Sequence, residues 1–276
     1  MLEPERVRTL ARAALDEDLG RGDLTTDVTV PESARARGDL VAKQELIVAG
    51  MDVARAAFLA LDPAAEWRPE AREGDRFFPG TVMGSVRGRA RALLTAERVA
   101  LNFLQRMCGI ATLTRRFVDA VEGTRARIRD TRKTTPLLRV LEKYAVEVGG
   151  ATPHRSGLDA AILVKDNHIR IAGSVRQATL RAVAGAAGRE VEVEVERIDQ
   201  VEDAIRAGAQ IVLLDNFTPD DVKDAVEAVR GRVPVEVSGG VRLDNVRSYA
   251  EAGPDYIAVW ALTHSAPAAD ISLEVE

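Results

Sequence analysis

The sequence predicts an α/β protein in which an α+β unit precedes an open or incomplete α/β barrel. Three observations predict it. Beyond residue 125, short apolar segments alternate with amphipathic helical ones, the rhythm of parallel strands joined by helical crossovers. Six such strands fit into about 140 residues, fewer than the eight strands and ~250 residues of a closed barrel. The first third mixes helix and strand without that alternation. A doubly wound sheet is the rival arrangement for the second part.

Taken in order, Pro4 to Leu19 reads as a helix. Leu40 to Ala42 and Thr81 to Val86 read as strands, with Gly74-Asp75 and Pro79-Gly80 marking turns. A long helical stretch runs from about Ala90 to Val121. In it Leu101, Leu104, Cys108 and Ala111 fall on one helical face, and Gly109 marks a place for a kink or break. Cys108 is assigned to packing, having no neighbour to activate it. The six barrel strands are Arg127 to Asp130, Ala161 to Val164, Val191 to Val195, Ile211 to Leu214, Val233 to Val237 and Tyr256 to Val259. Gln200 to Ala207, Pro219 to Val229 and Leu243 to Ala252 are helices between them.

Composition bounds the class. The chain has 276 residues, 46% apolar and 29% charged, enough for one large or two medium domains. A net charge of -5 argues against nucleic acid as a partner. One cysteine excludes a disulfide within the chain. No apolar run approaches the ~18 residues of a membrane span, and the charged first twenty residues lack a signal-peptide core, so a cytoplasmic enzyme is expected. Only five of the 38 basic residues are lysine, which makes each lysine informative.

In parallel α/β folds the site lies at the carboxyl ends of the strands. Arg132 and Lys133 follow the first barrel strand, and Lys165, Asp166, Asn167 and His168 the second. Glu194 lies near the end of the third, and Asp215 and Asn216 end the fourth. Ser238-Gly239-Gly240 follow the fifth, and Trp260, Thr263 and His264 the sixth. Each has a plainer reading: a turn for Ser-Gly-Gly, a structural role for His168, surface charge for Arg132-Lys133 and His154-Arg155. In Glu190-Val-Glu-Val-Glu-Val-Glu196 the acids share one strand face, so some are exposed. Together, cations, two carboxylates and a glycine loop suit a highly anionic substrate with a divalent metal. The oxygens of Glu194 and Asp215 favour Mg²⁺ over zinc.

The motifs also resemble a family. They are IRDTRKTT at 128–135, LEKYAVEVGG at 141–150, His154-Arg155, VKDNH at 164–168, LLDN at 213–216, SGG at 238–240 and ALTHS at 261–265. EDLGRGDLTTD at 17–27 and ERVALNFLQRMCGIAT at 97–112 add to them. The chain resembles the quinolinate phosphoribosyltransferases over nearly its whole length. The resemblance implies an N-terminal α+β sandwich domain over residues 1–110, joined by the tail 267–276, and an incomplete barrel over 111–266. It implies transfer of phosphoribose from phosphoribosyl pyrophosphate to quinolinate with decarboxylation, and a homodimer with shared sites. Arg132, His154 and Arg155 would bind the quinolinate carboxylates, with Arg98 reaching in from the other subunit. Lys133 and Lys165 would line the site near the anionic groups. Glu194 and Asp215 would hold ribose hydroxyls or Mg²⁺. Ser238, Gly239, Gly240 and His264 would hold phosphate.

The chain departs from the family pattern at Pro153 (usually asparagine), Leu137 (glycine), Ala160 (aspartate) and Trp260 (glycine). Trp260 is expected to crowd the phosphate pocket. The alternatives are a related phosphoribosyltransferase acting on another acidic base such as nicotinate, a catalytically weak ligand-binding relative, and an aldolase-like barrel using Lys165 as a Schiff base.

Overall fold

The computed structural model describes residues 2–276. In chain order the elements begin with α1 (Pro4–Leu19), α2 (Leu24–Thr29), β1 (Arg35–Ala42), β2 (Leu46–Ile47), α3 (Met51–Leu61), β3 (Glu66–Pro69), β4 (Arg76–Phe77), β5 (Val82–Arg89) and α4 (Ala90–Ala120). Then come β6 (Arg127–Arg129), α5 (Arg139–Val148), β7 (Ile162–Val164), α6 (Asp166–Ala172), α7 (Val175–Ala184), β8 (Val191–Val195), α8 (Ile198–Arg206), β9 (Ile211–Asp215) and α9 (Pro219–Val229). The last are β10 (Val235–Ser238), α10 (Val246–Glu251), β11 (Tyr256–Ala258), α11 (Ala261–His264) and β12 (Ile271–Val275). The chain divides into two compact units. One holds the chain up to Arg115, Val140–Gly150 and Ala266–Glu276; the other holds Arg116–Arg139 and Ala151–Ser265.

The first unit is built on an antiparallel sheet of order β12-β1-β5-β3. Its core is apolar, with Leu15, Leu40, Phe58, Met83, Leu93 and Leu104 fully buried. Strand β1 begins five residues before the expected Leu40. Arg35 to Asp39 lack a strand pattern, but ladders to both β5 and β12 hold them extended. Helix α4 runs unbroken through Gly109, contrary to the expected kink. A Cβ there would lie 2.0 Å from the carbonyl oxygen of Pro267, so the glycine serves close approach of the C-terminal segment. Cys108 packs as expected: burial pushes its thiol up to about 12, and Ala49 N–H donates to Sγ at 3.3 Å.

The second unit holds all six expected barrel strands, every pair parallel, in the order β6-β11-β10-β9-β8-β7. This is sequence order run around a ring, with the first strand beside the last. A doubly wound sheet would instead reverse at a switch point. The ring is therefore an incomplete barrel, as expected, open between β6 and β7. Thr152 makes an isolated parallel bridge to Arg129 there. Among the described residues no helix is long and apolar enough to cross a membrane.

Candidate active site

A cavity of about 370 Å³ lies at the carboxyl ends of the barrel strands. Arg132 and Lys133 reach it from the segment after β6, His154 and Arg155 from the loop at the barrel's opening, and Lys165 from the end of β7. Thr131, Glu194 of β8, Asp215 of β9, and Glu236 and Ser238 of β10 complete its polar wall, while Leu163, Leu213 and Ala258 supply an apolar patch. Strand register explains this grouping: Glu194 and Glu236 both pair with Leu213, and Ser238 pairs with Asp215. Leu213 and Asp215 are two apart on β9 and share a face, so these two successive levels of the ring point inward together. Gly239, Gly240, His264 and Trp260 do not line the cavity, nor does Arg98, which is exposed on α4 of the first unit.

The wall is charged on both sides. Arg155 Nη1 donates to the Ala161 carbonyl at 3.1 Å. The Nε atoms of Arg132 and Arg155 are buried without a hydrogen-bond partner. Burial, and then the neighbouring Arg132 charge, hold the Arg155 guanidinium below its usual value. Two guanidinium groups short of acceptors repel one another and gain from a dianion. Opposite them, Lys165 Nζ donates to Glu194 Oε2 at 2.7 Å, which engages the amine in an ion pair rather than leaving it a free nucleophile. Burial, and next the Glu194 charge, raise the Asp215 carboxyl. Asn216 Nδ2 donates to Asp215 Oδ2 at 2.8 Å.

His154 belongs to a group of ions, with Arg129, Glu192 and Glu236, of which only the histidine stood out in the sequence. Arg129 Nη1 donates to Glu236 Oε2 at 2.6 Å and sits 3.8 Å over the Tyr256 ring. His154 Nε2 is 3.0 Å from Glu192 Oε2 and 3.6 Å from Glu236 Oε1. The Arg155 backbone N–H donates to His154 Nδ1 at 2.7 Å, and His154 N–H donates to Asp130 Oδ1 at 2.7 Å. A backbone N–H only donates, so the ring proton sits on Nε2 and points at Glu192. That proton takes the direction a metal would need, although His154, Glu192 and Glu236 bring ligand atoms within 4.8 Å of one another. With both nitrogens of His154 engaged, Arg132 and Arg155 are the charges presented to the cavity at this edge. Burial pushes both Glu192 and Glu236 up to about 7, and for Glu236 the Glu192 charge adds to the rise. The signal for these acids was the matching Val-Glu-Val of β8 and β10. In a barrel the valines face the helices and the glutamates the interior. Glu190 and Glu196 are the exposed members of the run, and Glu192 and Glu194 the buried ones.

Other motifs take structural roles. His168 Nδ1 accepts from the Lys165 N–H at 2.9 Å and closes the turn into α6. A Cβ on Gly239 (φ +93°) would lie 2.2 Å from Asn216 Oδ1, so neighbouring packing alone demands that glycine. Leu137 occupies φ 67°, a left-handed position where glycine is the unstrained residue. Trp260 has φ -67°, and its indole lies against Lys133 and His264. Nothing in the geometry explains the departures at Pro153 and Ala160.

Comparison with known proteins agrees with this geometry. The family model for the quinolinate phosphoribosyl transferase N-terminal domain matches residues 23–108, and that for the C-terminal domain matches 110–274. The nicotinate-nucleotide pyrophosphorylase [carboxylating] of Mycobacterium leprae is 44% identical over 285 residues, covering 99% of this chain and 98% of its own. A probable nicotinate-nucleotide pyrophosphorylase [carboxylating] of Bacillus subtilis is 41% identical over 261 residues, covering 94% of this chain and 90% of its own. The solved structure of NadC from Streptococcus pyogenes superposes with a TM-score of 0.96 at 38% identity, covering 100% of this chain and 98% of that one. The chain belongs to the quinolinate phosphoribosyl transferase family.

Proposed function

We propose that this chain transfers the phosphoribosyl group of phosphoribosyl pyrophosphate to quinolinate with decarboxylation. The products are nicotinate mononucleotide, pyrophosphate and carbon dioxide, a step of NAD biosynthesis. The observation that carries the reading is the pair Arg132 and Arg155. Two guanidinium groups with unpaired buried donors line one cavity wall, beside an apolar patch that suits a ring face. Two such forks match two carboxylates; nicotinate offers one.

The pyridine nitrogen gives its lone pair to ribose C1 as the C1–oxygen bond breaks and its electrons leave with pyrophosphate. Positive charge grows at the sugar, which Glu194 and Asp215 stabilise. Negative charge grows on the leaving group, which Lys133 and Lys165 stabilise. The ring nitrogen, now cationic, stabilises the electron pair left on the adjacent carbon when its carboxylate departs as carbon dioxide. Water supplies the proton that replaces it. No covalent protein nucleophile is needed.

Glu194 and Asp215 fit a hard divalent cation. Both carboxylates line the cavity, and their mutual repulsion contributes to the raised Asp215. Mg²⁺ held there would supply charge neutralisation for the pyrophosphate. Ser238 would contact the phosphate. Arg98, exposed on α4 and absent from the cavity wall, would serve the site of a second subunit in a homodimer. Mixing the inactive Arg98→Ala and Asp215→Asn chains should then restore part of the activity, and no recovery after verified subunit exchange counts against a shared site.

The deciding assay follows carbon dioxide and pyrophosphate release from phosphoribosyl pyrophosphate with quinolinate, and in parallel with nicotinate. Equal release of both products with quinolinate, and none with nicotinate, is expected. Pyrophosphate release with nicotinate alone would move the chain to the alternative base.

A further inference from the structure

Lys133 is held at two points. Its carbonyl accepts a hydrogen bond from Thr263 Oγ1 at 2.8 Å, and Thr263 is fully buried. Its ammonium lies 5.5 Å from the centroid of the Trp260 ring. The same indole meets the His264 ring edge-on, with centroids 5.1 Å apart and planes at 81°. Trp260 and His264 bracket the short helix α11, and the His264 N–H donates to the Trp260 carbonyl at 3.0 Å. One turn of chain therefore latches the Lys133 segment through its backbone and touches its charge through an aromatic face.

The choice of an aromatic face matters chemically. A lysine stem has four flexible bonds, and ordering it on binding costs affinity. A carboxylate partner would order the stem but occupy one of its donors and offset part of the charge offered to an anion. An indole attracts a cation through its quadrupole and leaves all three N–H donors and the full charge available. Lys165, by contrast, is ordered by Glu194. Lys133 reaches the cavity while exposed, and its charge acts on Asp215.

We propose that Trp260 is a positioning residue for phosphoribosyl pyrophosphate, its indole holding the Lys133 ammonium in place for the anionic groups of that substrate. The inference rests on the phosphoribosyltransferase reading of the cavity. Turnover of quinolinate and phosphoribosyl pyrophosphate by the unaltered enzyme tests that reading separately.

The test compares Trp260→Leu and Trp260→Phe with the unaltered enzyme, each alone and combined with Lys133→Met. Trp260→Leu should raise KM for phosphoribosyl pyrophosphate about five-fold, with KM for quinolinate changed less than about two-fold, and Trp260→Phe should recover most of the loss. In the Lys133→Met background the same changes should have no further effect on phosphoribosyl pyrophosphate, because the indole then has no cation to hold. An unchanged or lower KM in Trp260→Leu, the result that crowding of the pocket predicts, overturns the inference. So does a loss that persists in full without Lys133. A second measurement keeps Trp260. With Trp67→Phe it becomes the only tryptophan, and saturating phosphoribosyl pyrophosphate should change its fluorescence. Emission that does not respond overturns the inference even if the leucine variant fails to fold.

Discussion

Both units bury acids, with opposite consequences. In the first, Asp62 is 4% exposed, yet its carboxyl lies below the usual range, because the Arg89 backbone N–H donates to it at 2.8 Å. Glu142, 1% exposed there, accepts from Arg106 Nε and Nη2 at 3.1 and 2.9 Å. In the barrel Glu192 and Glu236 are as deeply buried, but each leaves Oε1 without a donor, and both are pushed up to about 7. Burial is the same; the supply of donors differs. A matched acid supports its fold. An under-matched acid opposes folding and persists for what it organises. Here it holds Arg129 behind the wall and both engages and orients His154 on it, leaving Arg132 and Arg155 as the charges open to a ligand at that edge.

The comparison can be broken most forcefully at Glu236. Glu236→Ala strands the Arg129 guanidinium, whose side chain is 13% exposed, and should cost about 3–5 kcal/mol in denaturant unfolding. A loss below about 1 kcal/mol would mean that Arg129 finds another partner and that the base beneath the site is not a unit. Asp215→Asn should act on the other side of the same wall. Turnover should fall by roughly a hundred-fold, near 3 kcal/mol of transition-state stabilisation, while the unfolding midpoint barely moves. A collapsed midpoint with full turnover in the folded remainder would make Asp215 structural.

pH sharpens the contrast because the two sets of acids titrate with opposite sign. Glu192 and Glu236 have raised values in the fold, so the native state binds more protons than the unfolded chain between about 4.5 and 7. Their contribution is fully present below the unfolded value and is lost as pH rises through about 7. Asp62 is lowered, so its contribution is present above its ordinary value of 3.8 and is lost as pH falls through the still lower folded value. Unfolding midpoints measured from pH 4 to 8 should therefore drift down, and Glu236→Gln should flatten the drift. Asp62→Asn should leave the slope in that window unchanged. The smallest effect lies outside both interiors. Leu137, 79% exposed at φ 67°, should be replaceable by glycine with a gain of ~0.5 kcal/mol, the left-handed strain relieved less the entropy glycine loses on folding. A loss of stability would show that the leucine makes a contact worth more than its strain.

What the sequence determined by itself is the strand-and-helix order of the barrel and the family. Parallel strands covered by helices are built from short runs of β-branched and aliphatic residues, and a run such as Ile211-Val-Leu-Leu is legible without its neighbours. Rim residues were legible too, since each follows its strand directly, as Asp215 follows that run and Lys165 follows Val164. What only the tertiary structure decided concerns groups whose meaning depends on a partner far along the chain. Whether Glu192 faces water or Arg129 depends on which side of β8 the ring closes. Gly109 reads as a kink until the Pro267 carbonyl arrives, and Trp260 reads as an obstruction until Lys133 is found beside it. Local sequence sets dihedral preference and hydrophobic period. The environment of a buried charge or a packed ring is set by strands a hundred residues away, and no short-range pattern records it.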